Sequence, residues 1–462
     1  MPADPAQAGD ADAGVRRELT GWAALAVGAL AIAGAFAFLL AISRVPGVEW
    51  IGWPIGFFHK GLVIHVVFSF VVWFLAVFGA HALLAQVAAG GTRRLDGLGL
   101  AAVAAGVLSM PLLFIPALLD RGLPTLNNYV PVIIDPLYYA GLALLALAIG
   151  IAAVRLLISV RAERLLRDPV AATVAAAAVA YLSAFLCFAL ALRLLDGTAP
   201  SHEFNERLTW GGGHVLQFVN TLLLLVAWQT LAAPFTGGRR PTVVVAVASA
   251  WLLLGALAAP ALYLVYPPFS PAQTAAFTWL QYLLGPPAAL VAIALLAGVR
   301  RPWPWREPGF LALVLSILLF GVGGGLGLFV DGADTRTPAH YHGVIAGVTL
   351  AFFGVFFTRL LPLLGRTAGT PRRQRIILHV FAWGQLTACI GLFVAGGHGA
   401  PRKVAGEAQG LTDMAAMIGM GLNGLGGLVA VIGGIMFVWT VGMVLLCNRR
   451  GYESTIAGRS GI

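Results

Sequence analysis

Apolar runs of 20 residues or more recur from one end of this 462-residue chain to the other, and no other feature constrains its fold as tightly. A helix rises about 1.5 Å per residue, so ~20 apolar residues cross the ~30 Å hydrocarbon core of a bilayer. A helix also satisfies its own backbone hydrogen bonds, which lipid cannot do. Twelve transmembrane helices are expected, near residues 20–43, 60–85, 97–119, 136–160, 170–195, 209–233, 242–265, 275–298, 309–330, 338–364, 376–396 and 420–447. Charged residues make up only 10% of the chain and mean hydropathy is +0.89, so no stretch has the composition of a separate soluble module. The expected organisation is a polar tail over 1–19, an all-α twelve-helix membrane domain over 20–447 and a second tail over 448–462. The first tail lacks the apolar stretch and cleavage site of a removable signal.

The net charge of +10 raises the question of nucleic acid, and its placement answers it. Arg93 and Arg94 follow the second span, Arg155, Arg161, Arg164 and Arg167 cluster at the end of the fourth, and Arg239 and Arg240 follow the sixth. Arg300, Arg301 and Arg306 follow the eighth, Arg366, Arg372, Arg373 and Arg375 the tenth, and Arg449 and Arg450 the twelfth. Basic residues on alternate loops obey the positive-inside rule. Both termini are therefore expected in the cytoplasm of a multi-pass protein of a bacterial-type inner (cell) membrane. The bilayer is the expected partner; nucleic acid is not. Cys187, Cys389 and Cys447 all fall in apolar spans, with no CxxC pair and no CxxCH attachment site, and read as small buried hydrophobes.

On this topology His65 opens the second span, His214 the sixth, and His340 and His342 the tenth, all at a similar depth near the outer face. Ionisable groups inside a bilayer are costly and tend to be paired or functional, and neutral imidazole is an axial ligand for heme iron. In "DTRTPAHYHGVIAGVTLAFFG", residues 334–354, His340 and His342 stand two apart. A helix turns ~100° per residue, so the two rings face nearly opposite sides. They are badly placed to share one ion and well placed to serve two ligands. The simplest constellation puts a low-spin heme between His65 and His342. A second heme then sits on His340 with its other axial position open, and His214 looks across the open face.

Several segments resemble subunit I of the heme–copper oxidase superfamily, which includes the nitric oxide reductases. "VIHVVFSFVVWFLAVFGAH" resembles the second-helix segment that carries a low-spin heme ligand, here His65. "WGGGHVLQF" is similar to the sixth-helix segment whose histidine binds the active-site copper, here His214. "AHYHGVIAGVTLAFFG" resembles the tenth-helix His-x-His motif, which implies His340 on the high-spin heme and His342 on the low-spin one. "GGHGAPRKV" resembles the loop whose basic pair holds heme propionates, here Arg402 and Lys403, with His398 beside it. Arg44, ending the first span, stands at heme level, where it can pair with a substituent of the low-spin heme. The resemblance spans His65 to about Lys403 and implies a heme–copper oxidase subunit I-like bundle with two hemes. It further implies O₂ or NO as ligand and an electron-donating partner subunit or cytochrome c-like protein.

The departures bear on copper. Leu264 and Val265 stand in "LAAPALYLVYPPF" where the family has two adjacent copper-binding histidines, and no HisHis occurs in the chain. One histidine cannot hold copper alone. The nitric oxide reductase iron site borrows glutamates from helices six and seven, and neither span contains one. Phe218 replaces a tyrosine, Leu216 a glutamate, and Gln281 and Tyr282 stand in the span where some relatives carry a channel lysine. Tyr263 and Tyr266 join His214 as candidate catalytic groups, and Gln217, Asn220 and Thr221 as ligand-bonding ones. A proton pump needs titratable groups across the membrane, and few are present.

Of the remaining features, "DGTAPSHEFNERLTW" reads as a solvated outer loop with a local salt bridge. Lys60 is expected to snorkel, and His81 and His379 to sit at the inner interface. The Gly-rich "FGVGGGLGLF" and "GMGLNGLGGLVAVIGG" read as close helix contacts. Two alternatives stay open: a non-oxidase NO/O₂-binding or electron-transfer homologue, and a twelve-span secondary transporter. Transporters of that kind show paired halves and broken helices, and residues 1–230 and 231–462 share no clear repeat.

Overall fold

In the computed structural model the described residues are 8–43, 50, 55–90, 95–165, 167–238, 241–330, 332–404 and 406–446. They form twelve helices long and apolar enough to span a bilayer. In chain order these are α1 (Ala13–Ser43), α2 (Phe58–Ala88), α3 (Gly97–Leu118), α4 (Pro136–Ser159), α5 (Pro169–Leu194) and α6 (His202–Phe235). Then follow α7 (Thr242–Val265), α8 (Pro271–Gly298), α9 (Pro308–Phe329), α10 (Arg336–Leu363), α11 (Pro371–Gly397) and α12 (Met414–Leu446). Between α3 and α4 lies an antiparallel hairpin, β1 (Leu123–Thr125) and β2 (Val132–Ile134), with Leu123 opposite Ile134.

One start signal recurs. Asp135, Asp168, Ser270 and Thr370 cap α4, α5, α8 and α11 with their side-chain oxygens, and a proline follows each at the first helical position. The cap satisfies an N–H that the helix leaves orphaned, and the proline has none to satisfy. α6 starts seven residues before the expected 209, because Ser201 Oγ accepts the Phe204 N–H at 3.0 Å and winds "HEFNERL" into its first turns. The expected solvated loop is helix there; its local salt bridge is present as the Arg207–Glu203 pair one turn apart. α12 likewise starts at Met414, where Asp413 Oδ1 accepts two backbone N–H groups at 2.8 and 3.0 Å. The first extension is polar, so hydropathy did not reveal it; the second, "MAAMIG", is apolar and prolongs the run towards its cap.

Consecutive spans pack as pairs, α3 with α4, α5 with α6, α9 with α10 and α11 with α12, and α1 meets α12 so that first and last spans join. The α11–α12 contact is made of small residues: a Cβ added to Gly384 would lie 2.4 Å from the Ala430 backbone nitrogen, and one on Gly391 2.5 Å from that of Asn423. Three spans are set apart. α2, α6 and α10 are 78%, 89% and 78% buried along their apolar windows, against 28–56% for the other nine. These are the helices that carry His65, His214, His340 and His342. An enclosed span faces protein rather than lipid, so it tolerates polar side chains that a lipid-facing one does not. Both α2 and α10 contain a π-helical turn, at Val67–Val72 and Phe356–Leu360, the first of them just past His65.

Some charges sit elsewhere than expected. Arg155 is not an exposed loop cation. It is 4% exposed and its Nη1 lies 2.6 and 2.7 Å from the two carboxylate oxygens of Glu18 on α1, with Trp22 Nε1 3.4 Å from the same group. Removing one partner of such a pair strands the other charge in low dielectric, a cost of about 3–5 kcal/mol. Glu18→Ala is therefore expected to lower the unfolding temperature of the detergent-solubilised protein sharply, and Glu18→Leu combined with Arg155→Met to recover most of the loss. An unchanged melting curve in the single variant would refute this role. His81 is buried, not interfacial, with its Nδ1 2.9 Å from the Val77 carbonyl, whereas His379 is exposed and accepts the Trp383 indole N–H at 3.2 Å. Lys60 buries its stem and reaches the exposed Asp120 carboxylate at 2.6 Å.

Candidate functional site

A cavity of about 2460 Å³ opens among α1, α2, α6, α8, α9, α10, α11 and α12 below the 120–135 and 397–413 loops. Ordinary ligand pockets reach ~1000 Å³. His65, His340 and His342 all stand on its wall.

Each imidazole position follows from local packing. His65 Nδ1 lies 3.0 Å from the Ala33 carbonyl on α1, and His340 Nδ1 lies 2.8 Å from the Gly323 carbonyl on α9. A carbonyl oxygen only accepts, so in both rings Nδ1 carries the proton and Nε2 keeps its lone pair, the tautomer an Nε2 metal ligand requires. The glycines of "FGVGGGLGLF" make room for His340. A Cβ on Gly327 would lie 2.6 Å from His340 Nδ1, and one on Gly323 2.4 Å from the Val344 backbone nitrogen. His342 stacks on Tyr341 with ring centroids 5.3 Å apart and planes at 27°.

The rest of the wall suits a flat apolar group. Gly34 on α1, Gly324 on α9 and Gly424, Gly427 and Gly434 on α12 line the cavity, and a Cβ on any of them would meet nothing within 4 Å. Three imidazoles around a glycine-lined slot, two of them with Nε2 lone pairs left free by their Nδ1 bonds, fit heme. Arg402 and Lys403 also line the cavity. The loop that carries them is pinned by an isolated bridge between Asp334 and Pro401 and by the Thr335 N–H on the Ala400 carbonyl at 3.0 Å. Of the other expected groups, His398 pairs with Asp413 at 3.2 Å, and Arg44 lies outside the described residues.

Lys403 donates to the Leu126 carbonyl from a left-handed backbone conformation, φ 63°. Burial and then the neighbouring Arg402 guanidinium push its pKa down to about 8, with Glu206 opposing. The unfolded chain, with lysine near 10.5, then binds more protons than the folded one between those values. Stability of the heme-free protein is expected to rise from about pH 8 towards pH 10.5, and Lys403→Met to remove the rise. A pH-independent melting temperature in the unsubstituted protein over that window would contradict it.

His214 is placed differently. It is 1% exposed, and it is absent from the cavity wall. Its Nδ1 lies 2.6 Å from the Trp210 carbonyl and its Nε2 3.1 Å from the hydroxyl of Tyr129, which does line the cavity. Tyr129 is the functional residue that sequence reasoning missed: it sits in "NNYVPVIIDP", a loop without helical periodicity, and reaches His214 only through the hairpin. The one local signal is its pair of preceding asparagines, residues that favour turns and left-handed backbone. Tyr129 has φ 67°, a conformation that costs a non-glycine residue ~1–3 kcal/mol and persists only where neighbours fix it. Burial, reinforced by Glu206, raises its pKa and keeps the phenol protonated.

Tyr263 is buried with its hydroxyl over Gly211, where a Cβ would lie 2.4 Å away, and does not reach the cavity wall. Tyr266 follows α7, half-buried, and is also off that wall. Leu264 and Val265 are 85% and 69% exposed, facing away from the site. Gln217, Asn220 and Thr221 are on the wall, as is Tyr282. Among the described residues no three His, Cys, Asp or Glu side chains cluster to hold a metal ion. The donor set around His214 therefore does not fit copper.

Comparison with known proteins places this geometry. Residues 19–436 match the family model of cytochrome c and quinol oxidase polypeptide I. The chain is 23% identical to an uncharacterized protein of Rickettsia prowazekii over 92% of its own length and 95% of that protein's. It is 28% identical to one of Aquifex aeolicus over 74% and 84%. Against cytochrome c oxidase subunit 1 of Thermus thermophilus the identity is 29%, over 34% of this chain and 30% of that one. A solved heme–copper terminal oxidase dimer shares the fold at TM-score 0.75 and 15% identity, over 94% of this chain and 84% of the other. The chain belongs to the cytochrome c and quinol oxidase polypeptide I family.

Proposed function

We propose that the protein is a membrane-bound diheme redox protein resembling the catalytic subunit of a respiratory terminal oxidase. The observation that carries this reading is the shared cavity, with His65, His340 and His342 on one wall system and the Nδ1 of His65 and of His340 fixed by backbone carbonyls. His65 and His342 would hold a low-spin heme, and His340 a high-spin heme with one axial position open. When bound, such hemes supply one-electron transfer and a coordination site for O₂ or NO. The chain's own contribution is to orient the imidazoles and to exclude water with an apolar wall. Arg402 and Lys403 supply donors for propionates at the loop end, which we place on the outer face because arginines crowd the opposite loops. No covalent cytochrome motif occurs in the chain, so a partner subunit or a cytochrome c-like protein delivers the electrons in this account.

Copper has no part in it. A non-oxidase homologue that binds O₂ or NO and passes electrons is favoured by one observation, the commitment of His214 Nε2 to Tyr129. Family membership speaks against the transporter alternative. Reduced-minus-oxidised spectra of the purified protein, with and without CO, test the reading: a low-spin heme spectrum plus a CO-sensitive component supports it, and a featureless spectrum overturns it.

A further inference from the structure

Behind the cavity wall, α6 carries an imidazole whose two ring nitrogens are both engaged. Around His214 the rings of Tyr129, Trp210 and Phe277 close in at centroid distances of 4.3, 4.7 and 5.9 Å. The Trp210 carbonyl only accepts, so Nδ1 bears the proton and Nε2 only accepts; at 3.1 Å the Tyr129 hydroxyl must be the donor. Both ring nitrogens are committed. A metal would have to break the Tyr129 bond, and the loop around that residue is held from several sides. Gly213 lacks the Cβ that would lie 2.5 Å from Tyr129 Cβ. Asn128 donates from its backbone and side-chain nitrogens to the Glu206 carboxylate at 2.9 and 2.8 Å. Asn127 Nδ2 donates to Thr209 Oγ1 at 2.9 Å, and Lys403 to the Leu126 carbonyl. Among the described residues His214 belongs to no group of three His, Cys, Asp or Glu side chains that could hold a metal ion.

We infer that Tyr129 and His214 form a permanent metal-free pair, and that the side-chain amides of Gln217 and Asn220 as donors, with the Tyr129 oxygen as an acceptor only, present a neutral polar face to a small uncharged ligand such as a diatomic gas or water. The ligand part rests on the diheme reading above; the metal-free part does not. In an oxidase a second metal polarises the bound ligand; here that wall is a phenol, two amides and a sealed imidazole. Such a face orients a ligand without feeding it electrons, which suits reversible binding.

The test uses the full-length protein expressed with added copper, as unsubstituted chain, Tyr129→Phe and His214→Phe, with iron and copper counted and the C–O infrared stretch of the CO adduct recorded. Copper absent from the unsubstituted protein, with iron retained and the C–O band shifted in Tyr129→Phe, is the expected result. Retained iron shows that the substituted chain still folds, and His214→Phe, which frees the Tyr129 proton, should shift the band as well. Copper at one per chain, abolished by His214→Phe, would overturn the metal-free pair. An unchanged C–O band in both variants would overturn the ligand role. A chain without heme would overturn the diheme reading and the ligand role with it, while the copper count decides the pair on its own.

Discussion

Replacing His65 by alanine is expected to abolish the low-spin heme spectrum and about half of the bound iron, while the CO-binding component survives. The expectation follows from where the residue stands. His65 opens the enclosed helix α2, and its Nδ1 is locked on the Ala33 carbonyl of α1 at 3.0 Å, so the lone pair points where the cavity wall is. No other imidazole on that side replaces it, since His59 and His81 lie roughly two and four to five turns away on the same helix region. Alanine cannot coordinate, and a six-coordinate low-spin iron that loses one axial ligand changes spin state or leaves. His342→Ala should give the same spectrum. Two residues apart on one helix, His340 and His342 should face nearly opposite sides of α10, so the His340 heme and the CO signal should persist in both variants. Loss of both components together, or of neither, would show that His65 and His342 do not serve one heme.

Gly327→Ala is expected to do the converse, removing CO binding and leaving the low-spin spectrum. The new methyl would lie 2.6 Å from His340 Nδ1 and 2.8 Å from Cε1, well inside contact distance. The ring must tilt, and the 2.8 Å bond from Nδ1 to the Gly323 carbonyl goes with it. Loss of such an orienting bond typically costs ~10–100-fold in metal affinity, and here the ligand itself also moves. Gly321→Ala on the same helix is the control. Its Cβ would meet nothing within 4 Å, so it should leave both hemes intact and, as a Gly-to-Ala change in a helix, stabilise by up to ~1 kcal/mol. If Gly327→Ala binds CO as the unsubstituted protein does, the glycine is not there for His340.

The fold was legible because lipid imposes one requirement, twenty apolar residues per crossing, and all twelve runs became helices. What stayed hidden was polar helix: His202 to Leu208 wind up because Ser201 caps them, ahead of the apolar run. That His65, His340 and His342 meet one cavity agrees with the expectation of a shared site. The tautomers of His65 and His340 were not legible, because the deciding carbonyls, Ala33 and Gly323, are 32 and 17 residues away in sequence. Tyr129 and His214 are 85 residues apart and meet only through a hairpin. Glu18 and Arg155 are 137 apart, and a rule about loop charges cannot see that a cation has found a buried carboxylate. Long-range pairing of single polar side chains has no period to read.

The central claim is that one cavity holds two hemes and no second metal. Counting heme, iron and copper on the same purified sample tests it most directly. About two hemes and two irons per chain, with copper well below one, is the predicted result. Copper equal to the chain, or fewer than two hemes in fully loaded protein, would contradict it.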